Sequence, residues 1–322
     1  NIDSSGRRHS AADAWLRPMI GRGVTLLTGT RATAILFDGD RACGLRVTDT
    51  GGTRDIAAER IVIAAGALET PRLLMLSGIG PEAELRRLGI AMRIDAPGVG
   101  QNLQDHPLLR AVNARPNRPL GPAVGNGGGT LTIWKSDPAL PQADLLCFPI
   151  QNASGGPALR AAYDVTGDAF AIGIGVMRSH SRGALRLTGA NPDDPLLIEP
   201  NLLGDPRDRA ALVTGLVQVQ EMLESPGFAG LFAGHLAPER RLDRDGAERF
   251  VRLACSTFFH CCGTARMGAD DDAPVTPRLA LRGARNLWVA DAAVIPTIPA
   301  CHTHAPVTMI GDRAARFILE DS

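Results

Sequence analysis

Two short, unbroken apolar runs constrain this chain more than any other feature. Arg60 introduces Ile61-Val62-Ile63-Ala64-Ala65, and far downstream Leu287-Trp288-Val289-Ala290 ends in Asp291. Neither run alternates polar with apolar, as a strand with one wet face does, so each reads as a strand buried on both sides of a parallel sheet. Gly66 closes the first run. Thr70 and Pro71 then supply a cap and first turn for a short helix through Leu73, Leu74 and Leu76, which Ser77, Gly78 and Gly80 stop. Strand, glycine turn and helix form the repeating unit of α/β folds. The expected class is α/β, or α+β overall, with a sheet contributed by both ends of the chain around an inserted domain.

The rest of the chain agrees with that plan. Ser10 caps an expected helix over Ala11 to Ile20, followed by short strands at Val24 to Leu27, Ala34 to Phe37 and Gly44 to Val47. From about residue 108 to 259 the pattern becomes short apolar runs between prolines and glycines, including Leu145 to Ile150, Phe170 to Met177 and Ala184 to Leu187. This predicts an antiparallel sheet. Asp205-Pro206 opens a helix whose Leu212, Leu216, Val219 and Leu223 share one face and are expected to cover that sheet. Pro306 is expected to begin a closing helix through Leu319. The division is residues 1–107 and 260–322 for the first domain and 108–259 for the inserted one.

Composition narrows the function classes. With 34 Lys plus Arg against 34 Asp plus Glu, no long-range field draws the chain to nucleic acid or an anionic membrane. No apolar run approaches the roughly 18 residues that span a bilayer. The six cysteines form no CxxC pair and no regular framework, which predicts free thiols. The chain opens at Asn1 with no visible targeting signal, so the compartment is unread and the cytoplasm is the default. Gly125 to Gly129 lacks the GxxxxGK[ST] ending of a phosphate loop and reads as a turn.

Ligands of open α/β sheets sit outside the carboxyl ends of the strands, which makes Gly66 and Asp291 candidates for lining a cofactor crevice. Asp291 can accept hydrogen bonds from ribose or ribityl hydroxyls, and Gly66 admits close backbone approach. A helix cap and a tight turn are the plainer readings. Among seven histidines, His260 lies in Phe258-Phe259-His260-Cys261-Cys262-Gly263-Thr264, and His302 and His304 lie in Pro299-Ala300-Cys301-His302-Thr303-His304-Ala305-Pro306. His302 precedes the closing helix, whose exposed amides favour negative charge on a ligand. At this level a core histidine and two helix-capping histidines remain open. A zinc or copper site is disfavoured, because adjacent Cys261 and Cys262 do not readily reach one tetrahedral ion and the usual spacers are absent.

Together these segments resemble the glucose-methanol-choline (GMC) family of flavin-dependent oxidoreductases. GALETPRLLMLSGIGP from Gly66 to Pro81 is similar to a family signature, as are GVGQNLQDHP (Gly98 to Pro107), SRGALRL (Ser181 to Leu187) and IEPNLLGDPRD (Ile198 to Asp208). FHCCGTARMG and NLWVADAAVIPTIPACHTHAP resemble its active-site region, and the motifs run in order over nearly the whole chain. The resemblance implies FAD as cofactor and an alcohol as substrate. It implies His260 as the base that takes the hydroxyl proton while hydride leaves the carbinol carbon for flavin N5. His302 would be its hydrogen-bonding partner, with exchanged roles also open. It further implies flavin contacts at Asp291, Ala292 and Thr303, and adenine contact with the backbone of Ala32.

Some positions depart from the family pattern. Cys261-Cys262 stands where Pro-Val is common, and His304 replaces a frequent Asn or Gln, which is expected to place a third imidazole near the site. No complete GxGxxG follows a strand, so the chain reads as the carboxyl-terminal part of such an enzyme, expected to be inactive alone. The electron acceptor, whether oxygen, quinone or a carrier protein, is unread. A non-redox member such as a hydroxynitrile lyase, or a metal-binding or structural remnant, is the alternative.

Overall fold

The computed structural model describes residues 3–122 and 129–321. Residues 125–128 of the expected glycine turn lie outside them. Ser10 and Asp13 exchange hydrogen bonds as a cap, but the helix behind them is a π turn over Ala12–Leu16 followed by a 3₁₀ turn over Arg17–Met19. The strand expected at Val24 to Leu27 does not form. Val24 makes one bridge to Ile20, and Leu26 and Leu27 stand half exposed without a ladder. An antiparallel meander follows: β1 (Arg31–Asp38), β2 (Arg41–Asp49) and β3 (Gly52–Ala57). Strand β3 escaped the sequence reading because it is nearly all exposed and carries no apolar alternation.

Next come β4 (Ile61–Ile63), α1 (Gly66–Leu76), β5 (Ile79–Gly80), α2 (Glu82–Arg87) and β6 (Ile94–Asp95). Helix α1 starts four residues before the expected Thr70 cap, so Pro71 falls inside it. Proline has no N–H to give the Ala67 carbonyl four residues back. That carbonyl instead accepts the buried Thr264 hydroxyl at 2.5 Å, which welds the carboxyl-terminal part of the chain to α1.

The inserted region supplies β7 (Pro107–Pro116), β8 (Thr132–Trp134), β9 (Leu145–Ile150), α3 (Pro157–Ala162), β10 (Phe170–Val176), β11 (Ala184–Leu187), β12 (Leu196–Glu199), α4 (Pro206–Leu223), β13 (Phe232–Ala237), α5 (Arg244–Ala254) and β14 (Cys255–Thr257). The antiparallel sheet runs β13-β7-β10-β9-β8, with β14 also on β7. Asp205 caps α4 by accepting from the Arg207 amide, and Leu212, Leu216, Val219 and Leu223 are all buried. They share one core with β7, β9 and β10, so the amphipathic face covers the sheet as its spacing predicts.

Last come β15 (Leu287–Val289) and α6 (His304–Glu320), the helix beginning two residues before Pro306. Strand β15 pairs parallel with β4 in register Leu287↔Ile61 and Val289↔Ile63, so the two ends of the chain do share a sheet. Burial on both faces holds for β15 and fails for β4. Ile61 and Ile63 point into a core while Val62 is 45% exposed, because no described element packs on its outer face. Two hydrophobic cores result, one around β4, α1 and β15 and one under the antiparallel sheet. The β11–β12 hairpin differs from the expected division: although it falls between residues 108 and 259, Leu185 and Leu187 pack into the first core.

Candidate active site

The antiparallel pairing of β7 with β14 sets the position of the site. Cys255 faces Leu109 and Thr257 faces Pro107, so the residue before β7, His106, lies opposite the residues after β14, Phe258 to His260. The ladder extends one step further through the Phe258 amide and the His106 carbonyl at 3.2 Å. Buried Asp105 secures the corner: its carboxylate accepts from the amides of His106 at 2.7 Å and His260 at 3.0 Å, and from the Thr257 hydroxyl. Phe259 takes a left-handed φ of 61° at this turn and is held there by its amide on the Thr257 hydroxyl.

The second histidine segment is docked by the same stretch of chain. Gln104, fully buried, pairs its backbone with Cys262 in both directions, donates its side-chain amide to the Pro296 carbonyl and accepts from the Ile298 amide at 3.0 Å. Asn102 bridges the Gly263 and Pro296 carbonyls. Gly263 has φ +89°, and a Cβ there would sit 2.6 Å from the Asn102 carbonyl, so only glycine permits this approach. Amides of Gly263, Ala265 and Met267 then bond the carbonyls of Ala292, Ala293 and Val294. Residues 102–106 therefore clamp both histidine segments.

Three imidazoles line up as a result. His260 Nε2 lies 3.2 Å from His302 Nδ1, and His260 Nδ1 lies 2.8 Å from His106 Nδ1. At the inner end, His106 Nε2 is 3.1 Å from the Pro299 carbonyl oxygen. The Phe258 ring stacks on His260 with centroids 4.5 Å apart and is itself stacked on Phe148. Burial, reinforced by the other two imidazoles, pulls the His106 pKa down to about 3 from the ordinary 6.5. Burial and the His302 ring also lower that of His260, against the opposing pull of Asp105. A neutral imidazole with an accessible lone pair is what proton abstraction needs near neutrality.

At the strand ends, buried Asp291 joins the two halves of the first domain. It accepts from the Gly66 amide at 2.8 Å, the Thr70 hydroxyl at 2.5 Å and the Ala293 amide at 2.7 Å, while burial raises its pKa. Gly66 has φ +86°, and open space lies where a Cβ would point. Ala32 and Ala65 line a cavity of about 580 Å³ with Arg31, Glu69 and Arg72. The buried Arg72 Nε has no partner among the described residues. Thr303 is buried at the start of α6, a helix of 17 residues with no side-chain cap.

The structure thus brings His260 and His302 together, and places Gly66, Asp291 and Ala292 at one turn with Ala32 at a cavity beside α1. His304 does not join the imidazole line, since among the described residues its side chain makes no hydrogen bond or ring contact with His260 or His302. Its position opens α6, and the ring stands exposed. The sequence reading passed over Asp105, Gln104 and above all His106. All three lie in GVGQNLQDHP, where Gln-Asp-His without a strand or helix of its own was the available signal. Cys255, Cys261 and Cys262 are free thiols whose pKa burial pushes up to about 12, so they are poor nucleophiles and metal ligands as they stand.

Two parallel-paired strands whose ends meet at a carboxylate-stapled turn thus lie beside an antiparallel sheet, at whose edge His106 and His260 meet His302 from the segment before α6, in a mixed α/β architecture. Comparison with known proteins names the class. GMC oxidoreductase family models match residues 3–108 and 179–311, and the chain belongs to this family of FAD-binding oxidoreductases. It is 33% identical over 329 residues to choline oxidase of Arthrobacter globiformis, covering 99% of this chain and 60% of that protein. It is 32% identical over 357 residues to an alcohol dehydrogenase [acceptor] of Pseudomonas putida, covering 98% and 61%. The crystal structure of pyridoxine 4-oxidase from Mesorbium loti superimposes with a TM-score of 0.92 at 32% identity, covering 98% of this chain and 62% of that one. The chain spans about 60% of the length of these relatives.

Proposed function

We propose that this chain carries the alcohol-oxidising site of an FAD-dependent enzyme, with His260 as the base and His302 as its partner. The observation that carries the reading is the 3.2 Å approach of His260 Nε2 to His302 Nδ1, made by residues from two distant segments. When bound, FAD supplies the acceptor for the hydride of the carbinol carbon. The chain's own residues do the rest. His260 Nε2 takes the hydroxyl proton, and His302, whose Nδ1 supplies the proton of its contact with that nitrogen in the resting pair, orients the substrate oxygen. Because the two rings are adjacent, charge on one disfavours charge on the other, so one stays available as base. Positioned proton transfer of this kind contributes about 10² to 10⁴ in rate.

The described residues fit the cofactor at three places. The unpartnered Arg72 Nε, together with Ala32 and Ala65, offers a polar edge and an apolar wall suited to adenine. Gly66 leaves open space beside Asp291 and Ala292, which suits the ribityl and pyrophosphate region. The uncapped amides at Thr303 and His304 favour an electron-rich ring. On this reading residues 1–107 and 260–322 serve FAD and 108–259 face the substrate. The motif GxGxxG does not occur in the 322 residues, so on this proposal the pyrophosphate amide cradle comes from other sequence of the whole protein.

The test uses the protein expressed from its complete coding sequence. Mixing it anaerobically with a primary alcohol such as choline or pyridoxine should bleach the flavin absorbance. Replacement of His260 and His302 by Ala should slow that bleaching while flavin remains bound. Undiminished bleaching in the double variant would remove both histidines from the reaction.

A further inference from the structure

We infer that His106 is a positioning residue that dictates which nitrogen of His260 is free, through a directional chain of hydrogen bonds that starts at the Pro299 carbonyl. The inference rests on the reading of His260 as base and explains why its base nitrogen is Nε2.

Donors and acceptors along the chain fix its direction. A carbonyl oxygen only accepts, and that of Pro299 already accepts from the Cys301 amide at 2.7 Å. His106 Nε2, at 3.1 Å from the same oxygen, must therefore carry the proton. His106 is fully buried and neutral; the Met177 backbone also lies near its ring, but hydrogen-bond geometry is met only at Nε2 by the Pro299 carbonyl and at Nδ1 by His260, so with its one proton on Nε2 its Nδ1 is bare. The 2.8 Å contact between the two Nδ1 atoms then needs its proton from His260. A neutral His260 protonated at Nδ1 has its lone pair at Nε2, the nitrogen that faces His302.

The opposite arrangement sets bare His106 Nε2 against a carbonyl oxygen, two acceptors in a buried place, and leaves Nε2 of His260 blocked by its own proton. Asp105 does not decide the matter. Its carboxylate bonds the backbone amides of His106 and His260 and touches neither ring by a hydrogen bond. Phe258, stacked on His260, holds the ring plane without offering a donor or acceptor.

The experiment is long-range ¹H–¹⁵N correlation on protein labelled with ¹⁵N-histidine at neutral pH, which reads the tautomer of each ring without any turnover. The expected result is a proton on Nε2 of His106 and on Nδ1 of His260. In the His106→Leu variant the proton of His260 should redistribute toward Nε2, and in His106→Asn, whose side-chain oxygen still accepts, it should stay on Nδ1. A wild-type spectrum with His260 protonated at Nε2 overturns the inference even if the Leu variant does not fold. So does an unchanged His260 tautomer in folded His106→Leu. Failure of the base reading looks different: the tautomers are as expected while the His260→Ala enzyme still oxidises alcohol at the wild-type rate.

Discussion

Mild acid should destabilise this protein through His106, and the size of the effect follows from its burial. The folded imidazole holds near 3 because burial disfavours its charged form, whereas in the unfolded chain it returns to the ordinary 6.5. Between those values the unfolded state binds a proton that the folded state refuses. The associated stability is therefore intact above about pH 6.5 and is lost as pH falls toward 3, with a slope approaching about 1.4 kcal/mol per pH unit. Integrated from pH 7 to pH 5, the loss is about 2 kcal/mol. The lowered pKa of His260 adds in the same direction. Carboxylates held down by arginines, such as Asp270 at about 2, act mainly below this window, beneath about pH 4. Urea unfolding followed by tryptophan fluorescence, at pH 7 and pH 5, measures the loss. His106→Asn keeps an acceptor for His260 but does not titrate, so its loss should be smaller by about 2 kcal/mol. An equal pH dependence in the two proteins would refute the assignment of this term to His106.

Three further outcomes are expected. Thr264→Val removes the hydroxyl that satisfies the carbonyl freed by Pro71 at almost constant volume, and should cost about 1 to 3 kcal/mol in urea unfolding at pH 7; a neutral result would show that the helix satisfies this carbonyl in another way. Asp291→Asn sets an NH₂ group against one of the three donors that the carboxylate accepts from, and should lower stability by a similar or larger amount, while Asp291→Glu should not match the wild type because one more methylene displaces the carboxylate from donors fixed at 2.5 to 2.8 Å. Leu216→Ala empties a fully buried position between α4 and the antiparallel sheet and should cost about 2 to 5 kcal/mol, read as a fall in the urea midpoint at unchanged slope.

Much of the scaffold was legible along the chain because its signals are local. The run at Ile61 to Ile63 and the run at Leu287 to Val289 needed only their own side chains to identify them as strands, and they pair as expected. Strand β11 and the buried face of α4 were likewise readable from spacing. Errors came where a local signal was outweighed by distant contacts. Thr70 looks like a helix cap in sequence, yet Asp291, more than two hundred residues away, draws its hydroxyl inward and lets α1 begin at Gly66. Val24 to Leu27 had the composition of a strand but found no ladder, and β3 found one without the composition.

For the site, residue types alone drew notice to His260, His302 and His304 in two short segments and left core and capping roles open; the family resemblance narrowed them to His260 and His302. Their distance, their partners and the direction of their protons were decided only by the fold. His106 had no pattern of its own. It acquires a role because β7 and β14 run antiparallel and bring it within 2.8 Å of His260, while Gln104 and Asn102 carry the Pro299 carbonyl into range. Hydrophobic periodicity is written into neighbouring residues, so the chain alone specifies which faces are buried. Hydrogen-bond direction depends on pairs of atoms from remote segments meeting at a few ångströms, and that meeting exists only in three dimensions.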